Sequence, residues 1–499
     1  MNIYKNCPTL ESEKFIIRLF QDEDCDDLLK VYSDKNALPL PETQSKENAL
    51  PENELENDIL TVARDILENP NLGTTDDFFI DGNADSLSIL TINSRLFAKG
   101  IKIKTQNFYK YPNVKKLAEF LSSINASTDA KTNSFVTPKT TALPENISKQ
   151  DLYFAYKNVL LTGATGFLGI HILDYLLKNT ECIVYCIIRE KYNQLPQKRL
   201  EKILEYYFDK EYYQKYQNRI IVLNGELSAD FFALSPEEYS SLQKNVDCII
   251  NTAANTRHYG NYQTFKKENI NTVKNLIAFA KPINAILNHM STTNVCGNYL
   301  VENDISYNFT ENDFYIGQNY EDNVYICSKF EAEKLILEEQ SNGLKANIFR
   351  LGNLMARYSD GVFQKNKFDN AYYTRLLALG AIGVLPEDLK KQKLEFTPID
   401  ETAEAVIKLL TIPNLENSIF HIFSDKLISI DLLLKVFEKY GSKCNFTNYD
   451  KFLHDLHLQK NEKILQYIIS DLNDSKKLNY ESGIIVDNAI TNEFLELVD

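Results

Sequence analysis

No stretch of this 499-residue chain offers the run of about 18 apolar residues that a membrane span needs. Its opening, MNIYKNCPTLESEK, lacks the apolar core of a signal peptide. Positive charge is scarce: 54 Lys and Arg against 69 Asp and Glu leave a formal net charge of -15. That balance excludes a nucleic-acid partner, because phosphate backbones require clustered cations. Cysteine pairing motifs are missing as well. Cysteines stand at 7, 25, 182, 186, 248, 296, 327 and 444 with no CxxC pair, and Cys186 and Cys248 lie in apolar runs as buried reduced thiols would. This usage implies a reducing, cytoplasmic compartment. The six histidines form no metal-ligand pattern. His454 and His457, three apart, read as part of a polar helix face, and no metal site is expected. What remains, 44% hydrophobic and 25% charged residues, is the composition of a soluble globular protein long enough for two or three domains.

The most informative stretch is Val159-Leu160-Leu161-Thr162-Gly163-Ala164-Thr165-Gly166-Phe167-Leu168-Gly169. An apolar strand runs into glycines at 163, 166 and 169, and an apolar-periodic helix follows from Ile170 to Leu177. Glycine permits a tight turn and close backbone approach, so a pyrophosphate can sit at the helix N-terminus. The spacing predicts a dinucleotide cradle. The next apolar run, Cys182 to Ile188, suits a strand buried on both faces, and Arg189 after it is placed to meet the 2′-phosphate of NADP, with Arg199 as a second positive group.

Further strand patterns at Arg219 to Leu223, Val246 to Asn251 and Ala285 to Met290 alternate with helical ones at Pro236 to Leu242 and Asn269 to Ala280. Such alternation predicts an α/β fold with a doubly wound parallel sheet, Rossmann-like, whose ligands sit at the carboxyl ends of the strands. Those ends carry Asn251-Thr252-Ala253-Ala254 and Ser291-Thr292-Thr293. Tyr325 and Lys329 lie four apart on a helix and share a face, an arrangement in which the ammonium lowers the phenol pKa. The same spacing recurs at Tyr111–Lys115, Tyr153–Lys157, Tyr206–Lys210 and Tyr262–Lys266, but only the pair at 325 and 329 follows the last core strand.

Ahead of this core, polar stretches at Pro39 to Glu52 and Ser123 to Gln150 read as linkers around a compact segment. Leu55, Ile59, Val62, Ile66 and Leu67 recur at helical spacing; Ser86 to Phe97 reads as a second helix, and Val114, Leu117, Ala118 and Leu121 mark a last one. The run Asp76-Asp77-Phe78-Phe79-Ile80-Asp81-Gly82-Asn83-Ala84-Asp85-Ser86-Leu87 resembles the attachment motif of acyl and peptidyl carrier proteins, and the later Phe108-Tyr109-Lys110-Tyr111-Pro112-Asn113-Val114 belongs to the same resemblance. It implies that Ser86 receives phosphopantetheine at a helix N-terminus. The loop Gly82-Asn83-Ala84 is one residue longer than the family pattern. In the first 40 residues, Leu10 to Arg18 and a helix from Asp22 to Tyr32 resemble the start of the acetyl-CoA-dependent N-acetyltransferases, while Lys35 to Glu42 resembles the tail of an adenylation domain. Residues 1–45 are therefore taken as a remnant or docking extension.

The order of glycine loop, Asn-Thr-Ala-Ala, Ser-Thr and Tyr-x-x-x-Lys resembles the extended short-chain dehydrogenase/reductase superfamily. Arg350-Leu351-Gly352-Asn353-Leu354-Met355-Ala356-Arg357-Tyr358-Ser359-Asp360-Gly361 and Phe396-Thr397-Pro398-Ile399-Asp400 resemble the terminal thioester reductase domains of nonribosomal peptide synthetases and carboxylic acid reductases. The implied organisation is a carrier at 50–124, a linker at 125–150 and an NADPH-dependent thioester reductase at 151–499 with a small C-terminal substrate lobe. Thr292, Tyr325 and Lys329 would be catalytic. Gly163, Thr165, Gly166, Phe167, Leu168, Gly169, Arg189, Arg199, Ala253, Asn269, Tyr325 and Lys329 would hold the cofactor. Substrate contacts are expected from Asp304 to Tyr320, Phe363 to Pro386, and Ile428 onward. The implied partners are an acyl or peptidyl thioester, upstream synthetase or adenylating modules, and a phosphopantetheinyl transferase, with no membrane. A nucleotide-sugar epimerase or dehydratase and a non-catalytic dinucleotide-binding scaffold are the alternative readings.

Overall fold

The computed structural model describes residues 10–11, 16–17, 49–124 save 100, 102 and 104, 135–138, and 147–499 save 192, 259, 298–306, 322, 392, 450, 453–454 and 456–483. The N-terminal segment, apart from a short antiparallel ladder pairing Leu10–Glu11 with Ile16–Ile17, lies outside them, as do most of the linker and both His454 and His457.

The small segment is a helical bundle of α1 (Glu54–Ile66), α2 (Ser86–Ala98), α3 (Thr105–Lys110) and α4 (Val114–Ile124). Asn53 caps α1 by accepting from Glu56 N, as a short polar side chain at that position does. Ile59, Ile89, Ile92, Leu96, Phe78, Phe108, Val114 and Leu117 fill its core with almost no exposure. The turn α3 carries too few residues to show a helical period in the sequence, and it was not expected there.

The larger segment is built on β1 (Asn158–Thr162), α5 (Phe167–Asn179), β2 (Ile183–Ile188), α6 (Pro196–Tyr207), β3 (Ile220–Asn224), α7 (Pro236–Asn245), β4 (Cys248–Asn251), α8 (Thr272–Ile283), β5 (Ile286–Thr292), α9 (Val324–Gln340), β6 (Ala346–Leu351), α10 (Ala371–Ile382), α11 (Ile399–Leu409), β7 (Ile419–Ile422), α12 (Ile430–Lys439) and α13 (Ala489–Val498). Its seven-stranded sheet has the order β7-β6-β5-β4-β1-β2-β3, parallel throughout. Burial on both faces accounts for the unbroken apolar strands. One face packs Leu173, Leu176, Leu204, Val406 and Phe494 from α5, α6, α11 and α13; the other packs Leu242, Leu276, Phe279, Phe330 and Ile336 from α7, α8 and α9.

Strand order reverses between β1 and β4, which opens a crevice at their carboxyl ends. Around α10 and α12 a small lobe closes on Leu376, Leu379, Leu385, Leu389, Ile430 and Phe452. The doubly wound sheet, the lobe and the preceding bundle are those expected from the sequence.

Candidate active site

The crevice begins as a backbone contact. Gly163 follows β1 directly with φ of 72°, and a Cβ there would lie 2.5 Å from Thr252 Oγ1 and 2.8 Å from Ala253 N, beyond β4. A Cβ on Gly169 would lie 2.2 Å from the Gly163 carbonyl oxygen. Only glycine fits either place, so the first turn of α5 rests directly on the turn that precedes it. Gly166 caps α5 and supplies no side-chain acceptor. The first amides of the helix are therefore left to an anion, and this cradle fits the pyrophosphate of a dinucleotide.

The reacting groups come from β5 and α9. Asn323 caps α9 by accepting from both Tyr325 N (2.9 Å) and Ile326 N (3.2 Å). This fixes the helix start, and successive fours bring Tyr325, Lys329 and Glu333 to one face. Thr292, at the end of β5, accepts from Asn294 N (3.2 Å) and lies beside the Tyr325 phenol. Lys329 is buried, and its Nζ donates to the Met290 carbonyl (2.7 Å). Burial pulls this ammonium down to about 8, against the pull of Glu333. Burial pushes the Tyr325 phenol up to about 12, with Thr292 acting the other way. The expectation that Lys329 makes the phenol more acidic is thus corrected for this structure. Desolvation outweighs the Thr292 hydrogen bond, and Tyr325 is held protonated.

A cavity of about 370 Å³ brings Thr165, Gly166, Phe167, Leu168, Gly169, Thr292, Tyr325 and Lys329 together. Gly163 lies behind this lining as the turn that supports it. Ala253 and Asn269 also stand outside it. Asn269 sits in a π-helical turn, Lys266–Asn271, and is fully used within the protein. It accepts from Asn255 N (2.7 Å) and donates to the Asn255 carbonyl (3.0 Å) and Ser328 Oγ (2.8 Å). Its place is to tie the loop after β4 to α9. Arg189 and Arg199 are likewise away from the cavity: Arg189 pairs with Glu226 (3.1 Å), and Arg199 donates to the Arg189 carbonyl.

Thr252 and Ala254 from the expected strand end and Asn353 from the 350–361 run also line the cavity, as do Thr256 and His258, which were not singled out from the sequence. Thr256 and His258 lie a few residues beyond β4, in the loop that the strand-end rule could have flagged as well. Among the described residues of the three segments expected to meet substrate, only those at 363–386 contribute, through Gln364 to Tyr372. The described part of the first, 307–320, packs Phe309 and Phe314 into the core instead.

In the bundle, Ser86 opens α2. Asp85 supplies the cap, accepting from Ser88 N at 2.7 Å. The extra loop residue is absorbed at Asn83, which takes a left-handed φ of 52°, while Ala84 N still reaches the Phe78 carbonyl (2.8 Å). The bundle touches the larger segment where Gln106 Nε2 donates to the Gly260 carbonyl (3.2 Å).

Together the glycine cradle, the switch-point crevice and the Thr-Tyr-Lys cluster form one site that fits a nicotinamide dinucleotide beside a protonated phenol. Residues 161–406 match the NAD-binding family described as male sterility protein, and residues 57–121 match the phosphopantetheine attachment site. The chain thus carries a stretch similar to such a carrier ahead of one similar to such a reductase.

The chain is similar to a thiolation-reductase di-domain from an archaeal non-ribosomal peptide synthetase, with a TM-score of 0.72 and 26% identity, covering 90% of this chain and 94% of that one. It is 30% identical over 255 residues to probable polyketide synthase 45 of Dictyostelium discoideum and 25% identical over 363 residues to glycine betaine reductase ATRR of Emericella nidulans. These stretches cover 49% and 70% of this chain but only 8% and 28% of those proteins. Among the described residues no helix is long and apolar enough to cross a membrane, and no group of His, Cys, Asp and Glu is arranged to hold a metal ion.

Proposed function

We propose that the chain releases a carrier-bound acyl or peptidyl thioester as an aldehyde by NADPH-dependent reduction, and that it can carry the aldehyde on to an alcohol. The observation that carries this reading is the meeting of Thr292, Tyr325 and Lys329 with the glycine cradle in one cavity, in a chain that also brings its own carrier.

Residues Thr165 to Gly169 would hold the pyrophosphate, and Lys329 the nicotinamide ribose. Arg189 would meet the 2′-phosphate once released from Glu226. When bound, the cofactor supplies the hydride. Thr292 and Tyr325 hold the thioester carbonyl oxygen and stabilise the charge that develops on it. Tyr325, protonated at neutral pH, gives that oxygen its proton and recovers it as the carbon–sulfur bond breaks, so that the aldehyde leaves and the sulfur departs as a thiolate that takes its proton from water.

Ser86, at the start of α2, would carry the arm after a phosphopantetheinyl transferase has acted. Tethering raises the local substrate concentration to roughly the millimolar range. Upstream adenylating or synthetase modules would load the acyl group. Cytoplasmic work is the setting we infer, and the unpaired cysteines among the described residues support it.

Intact mass after incubation with a broad phosphopantetheinyl transferase and CoA tests the carrier half. One added phosphopantetheine is expected, and none on Ser86→Ala. Acyl-loaded protein should then oxidise NADPH and form aldehyde. Loading without NADPH oxidation would overturn the reductive reading.

A further inference from the structure

His258 stands between two features already described. Two residues beyond it, the Gly260 carbonyl receives Gln106 of the carrier bundle. On its other side, its ring lies 5.4 Å from the Tyr325 ring, tilted by 36°. It lines the same cavity as Thr292 and Tyr325.

The hydrogen bonds around His258 determine its protonation. Asn323 Oδ1 is occupied by the amides of Tyr325 and Ile326, so the group Asn323 turns to His258 is its Nδ2–H₂ donor, 3.2 Å from Nδ1. Nδ1 must therefore accept, which places the ring proton on Nε2. Enclosure and the nearby Arg375 guanidinium push the imidazole down to about 4, so the ring is neutral at physiological pH. The result is a fixed N–H donor within the cavity, and no described residue accepts from it.

Thr292 and Tyr325 already provide two donors for the reacting carbonyl. The donor at His258, on the side where the carrier touches, is available to the next acceptor outward along the arm. Resting on the thioester-reductase reading above, we propose that His258 is a positioning residue for the phosphopantetheine arm, its Nε2–H donating to the amide carbonyl nearest the thioester sulfur. The contact recognises the arm and not the acyl group, so it would serve any acyl chain delivered by a carrier.

The test uses the full chain with two soluble substrates, an octanoyl thioester of pantetheine, which has the amides, and one of ethanethiol, which has none. His258→Phe keeps a ring and removes the donor; His258→Met is a second donor-free variant; His258→Gln restores an N–H near Nε2. The ratio of KM for the pantetheine substrate to KM for the ethanethiol substrate should rise about tenfold in the donor-free variants, the worth of one neutral hydrogen bond, and return in His258→Gln. An unchanged ratio would overturn the proposal. So would an equal fall of kcat on both substrates, because His258 would then act only through the Asn323 cap. A wild-type chain that binds NADPH but reduces neither thioester would instead sink the reductase reading on which the proposal rests.

Discussion

Glu333 and Arg350 form a two-point ion pair in which neither side chain is exposed. Arg350 Nη2 lies 2.8 Å from Glu333 Oε2, and Nε lies 3.2 Å from Oε1. Glu333 also accepts from Ser291 Oγ (2.5 Å), next to Thr292, while Arg350 Nη1 donates to the Asp313 carbonyl and to His421 Nε2. Glu333 lies one helical turn beyond Lys329, so the pair clamps α9 to β5 and β6 immediately behind the reacting groups. A buried pair is tolerated when further hydrogen bonds surround it, and here Ser291, the Asp313 carbonyl and His421 supply them.

Glu333→Gln should therefore be costly. It leaves the Arg350 charge buried without its counter-charge, and a loss of about 3–5 kcal/mol is expected. Urea denaturation checks this. A loss under 1 kcal/mol would show that the pair is dispensable.

Lys329 sets the pH dependence. Its pKa in the folded chain, about 8, lies below the ordinary lysine value, so its cation is present below that pH and lost above it. Turnover at saturating NADPH should fall as pH rises through about 8. Because the unfolded chain binds the extra proton between the two values, stability should rise with pH in that window. Tyr325, raised to about 12, adds no limb below that point. Glu333→Gln removes the charge that supports the Lys329 cation, so the alkaline limb should move to lower pH. A limb that stays in place would separate Glu333 from this titration.

At the cradle, Gly169→Ala forces a Cβ against the Gly163 carbonyl, whereas Gly166→Ala meets the same oxygen at 3.1 Å. Fluorescence titration with NADPH should show binding abolished in the first variant and weakened in the second. Equal affinity in Gly169→Ala and the wild type would mean that the turn is not the pyrophosphate site.

Glu226 competes with any phosphate for Arg189. Arg189→Ala should raise the KM for NADPH about tenfold and leave that for NADH unaltered, while Glu226→Gln should lower the KM for NADPH. Steady-state kinetics with both cofactors distinguish these outcomes. Equal effects on both cofactors would remove Arg189 from phosphate recognition.

Much of this protein is determined by the sequence alone. The glycines at 163, 166 and 169 between strand and helix, the regular alternation of apolar runs, the carrier motif ending at Asp85-Ser86-Leu87, and the order of Thr292, Tyr325 and Lys329 are all local patterns. They are legible because strand and helix periods and tight turns depend on neighbouring residues. The tertiary structure alone decided the rest. It brought Tyr325 beside Thr292 at the end of β5, and it sent Tyr262 to a bond with Glu331 (2.5 Å). It turned Asn269 inward, engaged Arg189 with Glu226, and brought His258 to the cavity. It also reversed the expected direction of the Tyr325 titration. Those outcomes depend on desolvation and on contacts between residues far apart in the chain, neither of which leaves a period in the sequence.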